Sequence, residues 1–298
     1  MTQRPIVLIE APSNLGLMPP EPGCEPGTLH SPAVLRDLGL HARLDVAEVI
    51  SVQPQPYSAD DGRSINIRNI AAIAEHAVRL ADAVESVVKS DRFPLVIGGD
   101  CSLLIGSMLG LRRLGDPALL FVDGHTDFYL PEQSGTGGAA GMDLALATGW
   151  GPSALTNIES RRPYVVTTNV AVLGNRDFNR RREAPIPAIE NAGFYYRSLP
   201  AMREEGIEAA TELALAAITA HGHNHWLHLD VDAIDSAIMP AVDSPQADGF
   251  SWEEIERLLK AARPYDAAGM QVTVYDPRRD PGYTAGRGLV NLLAAVLS

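Results

Sequence analysis

Three short stretches carry residue types suited to binding divalent cations. Asp123-Gly124-His125-Thr126-Asp127 sets two carboxylates and an imidazole at alternate positions. Asp230-Val231-Asp232 repeats that spacing with two carboxylates, and Gly98-Gly99-Asp100-Cys101-Ser102 adds a thiol. On an extended strand end alternate side chains project the same way, so Asp123, His125 and Asp127 can share one side, as can Asp230 and Asp232. Carboxylates with an imidazole suit cations such as manganese. One cation seldom needs five or six side-chain ligands. Two cations bridged by shared carboxylates would use them all and would hold a hydroxide nucleophile. Strand-end Asp and His also cap helices, but two such clusters, each after an apolar run, favour the cation reading.

The elements that must position these residues are legible as alternating runs. Apolar runs at Ile6–Glu10, Leu44–Ile50, Leu95–Ile97, Ala118–Val122, Val170–Leu173, Gly193–Tyr196, Trp226–Asp230 and Gly269–Val274 read as strands. Amphipathic stretches at Pro32–Leu38, Ile67–Val88, Leu103–Leu114, Met142–Ala147, Glu204–Ala220, Trp252–Ala262 and Gly286–Leu297 read as helices. Continuous apolar runs suit strands covered on both faces, and strand–helix alternation implies an open α/β sheet with helices on both sides. In such sheets ligands bind at the carboxyl ends of the strands, where all three clusters fall. No repeat or low-complexity linker divides residues 1–298, so a single domain is expected.

Composition narrows the function. The 298 residues are 46% hydrophobic, enough for a sizeable core, and the net charge of -13 argues against nucleic acid as a partner. Cys24 and Cys101 are the two cysteines, and nothing else suggests secretion. The start MTQRPIVLIEAPS reads as strand and loop rather than a signal peptide, and no apolar stretch reaches the roughly 18 residues of a membrane span. A cytoplasmic protein with a small-molecule substrate and no membrane partner is expected; the oligomeric state is open.

The motifs together resemble the arginase/agmatinase/formiminoglutamase family across nearly the whole chain. GGDCS resembles its Gly-Gly-Asp-His-Ser, DGHTD its Asp-Ala-His-x-Asp, and DVDAID its Ser-x-Asp-x-Asp-x-x-Asp. GTLHSPAVLRDLGL resembles the first loop and helix, and VYDPRRD the late Glu-x-Asn-Pro-x-x-Asp stretch. The resemblance implies a three-layer α/β/α fold with an eight-stranded parallel sheet, two Mn²⁺ ions, and hydrolysis of a guanidino-type C–N bond. It implies Cys101, Asp123, Asp127 and Asp230 on the first cation and His125, Asp123, Asp230 and Asp232 on the second. Asp123 and Asp230 would bridge, and Asp127 would act catalytically by contacting the attacking hydroxide.

Several positions depart from that pattern. Cys101 stands for a histidine, and a thiolate biases its cation toward zinc or iron. Ala140 falls on the first residue of the His-Gly-Met/Gln-Pro signature, whose histidine shuttles a proton to the leaving amine. In the same loop Thr136 and Gly138 replace residues that grip the amino-acid end. Val274 occupies the place of the acid that receives a guanidinium, and Asn179 that of the acid binding the α-amino group, with Arg180, Arg181 and Arg182 following, read as a solvated basic loop or, more sharply, as a carboxylate-binding mouth. Thr136, Asn179 and Ser244 are the substrate contacts carried over. A substrate less basic than arginine is therefore expected, Nω-hydroxy-L-arginine foremost. The Cys-for-His change and the absent shuttle histidine also resemble the hydroxyarginine hydrolases of D-cycloserine biosynthesis, which release hydroxyurea and L-ornithine. The alternatives are another ureohydrolase, acting on formiminoglutamate or another guanidino compound, and a catalytically silent metal-binding member.

Overall fold

The computed structural model describes residues 4–59, 65–176, 189, 192–220, 222 and 224–298. Eight strands form one sheet: β1 (Ile6–Ala11), β2 (Glu48–Ser51), β3 (Phe93–Gly98), β4 (Ala118–Val122), β5 (Val170–Asn175), β6 (Tyr195–Ser198), β7 (His225–Asp230) and β8 (Gly269–Thr273). Every pairing is parallel, in the order β2-β1-β3-β8-β7-β4-β5-β6. The central strands are buried along their whole length because both faces are covered, as their unbroken apolar character predicts.

Alternation along each strand divides the core in two. Leu95, Ile97, Leu120, Val122, Leu227 and Leu229 pack on one face with α1 (Ser31–Asp37) and later helices of the chain. On the other face Val96, Leu119, Phe121 and Trp226 meet α2 (Ile70–Lys89), α3 (Leu103–Leu114) and α4 (Asp143–Ala147). The first face is completed by α5 (Leu199–Glu205), α6 (Ile207–Thr219), α7 (Trp252–Ala261) and α8 (Thr284–Leu297). This is the expected α/β/α sandwich. Among the described residues no helix is long and apolar enough to cross a membrane.

Several boundaries differ from the sequence expectation, three of them with a local backbone cause. The helix expected over Glu204–Ala220 is two helices, broken at Gly206, whose φ of 90° leaves the helical region at little strain for glycine. The second strand starts at Glu48 rather than Leu44, because residues 40–43 form a helical turn and Asp45 reverses the chain at φ 48°. The last strand stops at Thr273, and Val274 lies at φ 73°. For a β-branched residue that conformation is an outlier, strained by roughly 1–3 kcal/mol.

Candidate metal centre

The order β3-β8-β7-β4 makes the carboxyl ends of these strands neighbours, so the loops after β3, β4 and β7 converge. The loops do not run on as extended chain. After β4, the Asp123 Oδ1 accepts the His125 backbone N–H at 2.6 Å. After β7, the Asp230 Oδ1 accepts the Asp232 N–H at 2.7 Å. Both are turns closed by an aspartate on the second following amide, a conformation Asp favours. Asp127 sits at φ 44°, which Asp tolerates better than most residues. Shared direction therefore comes from two matched turns rather than from strand alternation.

The turns interlock. His125 Nδ1 lies 2.9 Å from Asp232 Oδ2, and the Gly124 N–H donates to Asp232 Oδ1 at 3.2 Å. Arg176 supports this from behind, donating to the carbonyls of Ala233 at 2.6 Å and Asp232 at 2.9 Å. The Cys101 Sγ lies 2.6 Å from Asp230 Oδ2 and 3.2 Å from Thr273 Oγ1. Gly99 allows this approach of the β3 loop, since a Cβ there would fall 2.4 Å from the Ser13 nitrogen. Two nearby acids serve the backbone instead. Asp100 accepts from Ser13 Oγ and the Ser102 N–H, and Asp235 from the Ala237 and Gly249 amides.

Electrostatics identify what the cluster lacks. Burial, then repulsion from neighbouring acids, pushes the carboxyls of Asp123 and Asp143 well above the carboxylate range, and burial with Asp232 does the same to Asp230. Burial followed by the charges of Asp230 and Asp143 pushes the Cys101 thiol up. Burial also raises Asp232, but the His125 ring and Arg176 outweigh it and hold that carboxyl low. Asp123 Oδ2 is buried without a hydrogen-bond partner. Crowded, desolvated acids with an orphaned oxygen fit a cation-binding site, and Asp123, His125 and Asp232 bring donor atoms within 4.8 Å of one another.

A cavity of about 240 Å³ opens above this cluster. Cys101, His125, Asp127, Asp230, Asp232, Ala140 and Val274 form its buried part, and Thr136, Asp243 and Ser244 lie in its exposed part. Ala140, Val274, Thr136, Gly138 and Ser244 thus all meet the cavity. Asn179 and Arg180–Arg182 lie outside the described residues. Cys24 is exposed and unpaired by any disulfide.

Three residues were not singled out from sequence. Asp243 adds an acid to the wall; it is solvent-accessible although much protein surrounds it, so the upward push of burial on its pKa is weaker than in the closed floor. Asp143 and His228 lie beside Cys101. The available signals were Asp243 directly before Ser244, His228 two residues before Asp230 on one strand, and Asp143 directly after Met142.

A model of the arginase family matches residues 5–297. The chain belongs to the arginase family. An arginase from Bacillus caldovelox is 30% identical over 256 residues, covering 84% of this chain and 83% of that protein. The crystal structure of arginase from Bacillus cereus superposes with a TM-score of 0.85 at 25% identity, covering 99% of each chain. The proclavaminate amidino hydrolase of Streptomyces clavuligerus shares the fold at TM-score 0.71 and 18% identity, over 99% of this chain and 90% of that one. As an arginase-family member the chain is a hydrolase of amidine or guanidino C–N bonds, and the acid cluster lies where the fold places ligands.

Proposed function

We propose that this enzyme hydrolyses Nω-hydroxy-L-arginine to L-ornithine and hydroxyurea, with two manganese ions held by Cys101, Asp123, His125, Asp127, Asp230 and Asp232. The observation that carries the reading is the cavity floor, where Ala140 and Val274 stand beside the acid cluster. A guanidinium entering there meets an isopropyl group in place of a counter-ion. The neutral hydroxyguanidine, whose electronegative oxygen lowers its basicity, avoids much of that desolvation loss.

When bound, the cations supply a nucleophile at neutral pH and stabilise the charge that develops at the attacked carbon. Asp127 takes the proton of the attacking water as the C–O bond forms. It returns that proton to the departing ornithine nitrogen as the C–N bond breaks, the step for which Ala140 has no acid–base group. Thr136 and Ser244 contact the amino-acid end, and Asp243 offers an accessible carboxylate to the α-ammonium group. The same departures resemble the hydrolases of D-cycloserine assembly, so hydroxyurea for antibiotic biosynthesis is the corresponding role.

The test is kcat/KM for Nω-hydroxy-L-arginine and L-arginine at matched pH and manganese. One lost charge-assisted hydrogen bond is worth about 1.5–3 kcal/mol, on the order of tenfold to a hundredfold in favour of the hydroxylated substrate. Val274→Glu, which restores an acid, narrows that ratio by raising arginine hydrolysis. Equal values in the parent, or a preference for arginine, overturn the substrate assignment and leave the family intact.

A further inference from the structure

The Cys101 Sγ, an Asp143 carboxylate oxygen and a His228 ring nitrogen lie within 4.8 Å of one another, in a group separate from Asp123, His125 and Asp232. All three residues depart from the motifs quoted above. Cys101 stands for histidine, Asp143 for the proline closing His-Gly-Met/Gln-Pro, and His228 for the serine opening Ser-x-Asp-x-Asp. Cys101 is 1% exposed, and Asp143 and His228 are 0% exposed. Both Asp143 oxygens and His228 Nε2 are buried without a hydrogen-bond partner. A carboxylate taken wholly out of water, with the adjacent Leu144 amide near it but neither oxygen in a well-formed hydrogen bond, calls for a cation or a proton.

The role of His228 follows from its neighbours. The Trp226 indole N–H, which can only donate, gives its hydrogen to Gln271 Oε1 at 3.1 Å. The Gln271 amide is thereby oriented, and its NH₂ faces His228 Nδ1 at 2.7 Å. Nδ1 must accept, so the neutral ring carries its hydrogen on Nε2 and cannot ligate a cation through that atom. The ring plane is also held, stacked on Phe121 at 4.7 Å between centroids and 9° between planes. His228 Nε2 lies 4.0 Å from Asp143 Oδ2, close enough for a small side-chain shift to bring it to hydrogen-bond distance.

We propose that Asp143 is a ligand to the cation on the Cys101 side of the centre, and that His228, locked as an Nε2–H donor by Gln271 and Trp226, is the residue that positions it. One Asp143 oxygen meets the cation and the other accepts from His228. This is the second-sphere arrangement of metal sites with the partners exchanged: the carboxylate ligates and the histidine orients. The cation so held has a thiolate and carboxylates around it, whereas the His125 side has imidazole and carboxylates. The two positions therefore differ in softness, and the Cys101 side has the greater relative affinity for softer cations such as cobalt, which makes cobalt a probe of that side. The inference rests on the two-cation reading above.

The experiment loads the metal-free full-length protein with cobalt(II) and reads bound cobalt per chain and the thiolate-to-cobalt charge-transfer absorption. The parent is expected to bind two cobalt ions and show the band, which Cys101→Ser removes. Asp143→Asn is expected to weaken cobalt retention on the thiolate side at least tenfold, with the band lost at limiting cobalt. His228→Phe weakens retention less, and His228→Gln, which keeps an N–H, recovers part of it. Asp143→Asn that binds two cobalt ions with the parent's band and affinity overturns the proposal, because a neutral amide then serves as well as the carboxylate. If that variant fails to fold, a crystal structure of the cobalt-loaded parent decides: an Asp143 oxygen at bonding distance from the cation supports the assignment and its absence overturns it. A folded parent that binds no cation defeats both this proposal and the two-cation reading. Two bound cations without a contribution from Asp143 defeat this proposal alone.

Discussion

The two sides of the centre are assembled in opposite ways. On the Asp123–His125–Asp232 side backbone amides and the imidazole already occupy most carboxylate oxygens, and Arg176 braces the turn from behind. On the Cys101–Asp143–His228 side three polar atoms of Asp143 and His228 are left without partners in a fully buried space. The first side is preorganised by the chain itself. The second stores two unsatisfied acceptors on Asp143 and one unsatisfied donor on His228 that a further contact must complete. Asp230 joins them, with Oδ1 on the Asp232 amide and Oδ2 beside the Cys101 Sγ.

The most severe way to break that arrangement is to remove the joint. Asp230→Ala is expected to lower kcat/KM by on the order of a thousandfold or more, about 4 kcal/mol, with the fold retained by circular dichroism. Activity within tenfold of the parent would mean that the two sides work independently.

A second effect follows from the raised carboxyls of Asp123, Asp143 and Asp230. Each holds its proton more tightly folded than unfolded, so it favours the metal-free fold at low pH. That contribution is lost as pH rises from the unfolded value, 3.8, through the raised folded value. Cations remove the repulsion and compete with those protons. Manganese at one fixed concentration, a thousandfold over its Kd at pH 8, should stabilise the protein by about 4 kcal/mol per site there, and at that same concentration the gain in Tm should be smaller at pH 5, where protons weaken binding. A gain independent of pH would contradict the assignment of the repulsion to these acids.

The smallest effect tests whether an orphaned nitrogen by itself implies a ligand. His225, at the amino end of β7, also has a buried Nε2 without a hydrogen-bond partner, but among the described residues it joins no group of three metal-binding donors. Burial lowers its pKa to about 4. The folded state therefore resists protonation, and stability present above pH 6.5 is lost as pH falls toward 4, by about 3 kcal/mol. In urea unfolding of the metal-free protein, His225→Gln should differ from the parent by an amount that changes by that much between pH 6.5 and 4. Cobalt should not alter the difference. A pH-independent difference would show that the ring is not held neutral.

The alternation of apolar runs was enough for a parallel sheet covered on both faces, because burial on both sides leaves a local mark on every residue of a strand. Asp123, His125, Asp127, Asp230, Asp232 and Cys101 were legible for a similar reason: each sits in a dense motif directly after such a run. The strand order was not. β8 and β7 insert between β3 and β4, and that pairing is decided by contacts between residues far apart in the chain. Asp143, His228 and Asp243 carry no local pattern, since one polar residue at the start of a helix, inside a strand or on a loop reads as a cap or a solvated group. Their placement comes from burial and from what lies opposite: Trp226 and Gln271 orient His228, and the packing of α4 against the sheet face leaves Asp143 without water. The sequence by itself determined which dense acid, histidine and cysteine motifs gather at one edge of the sheet. Tertiary structure alone decided which acids stay unpartnered there, because desolvation and hydrogen-bond satisfaction are properties of the packed neighbourhood and not of the local chain.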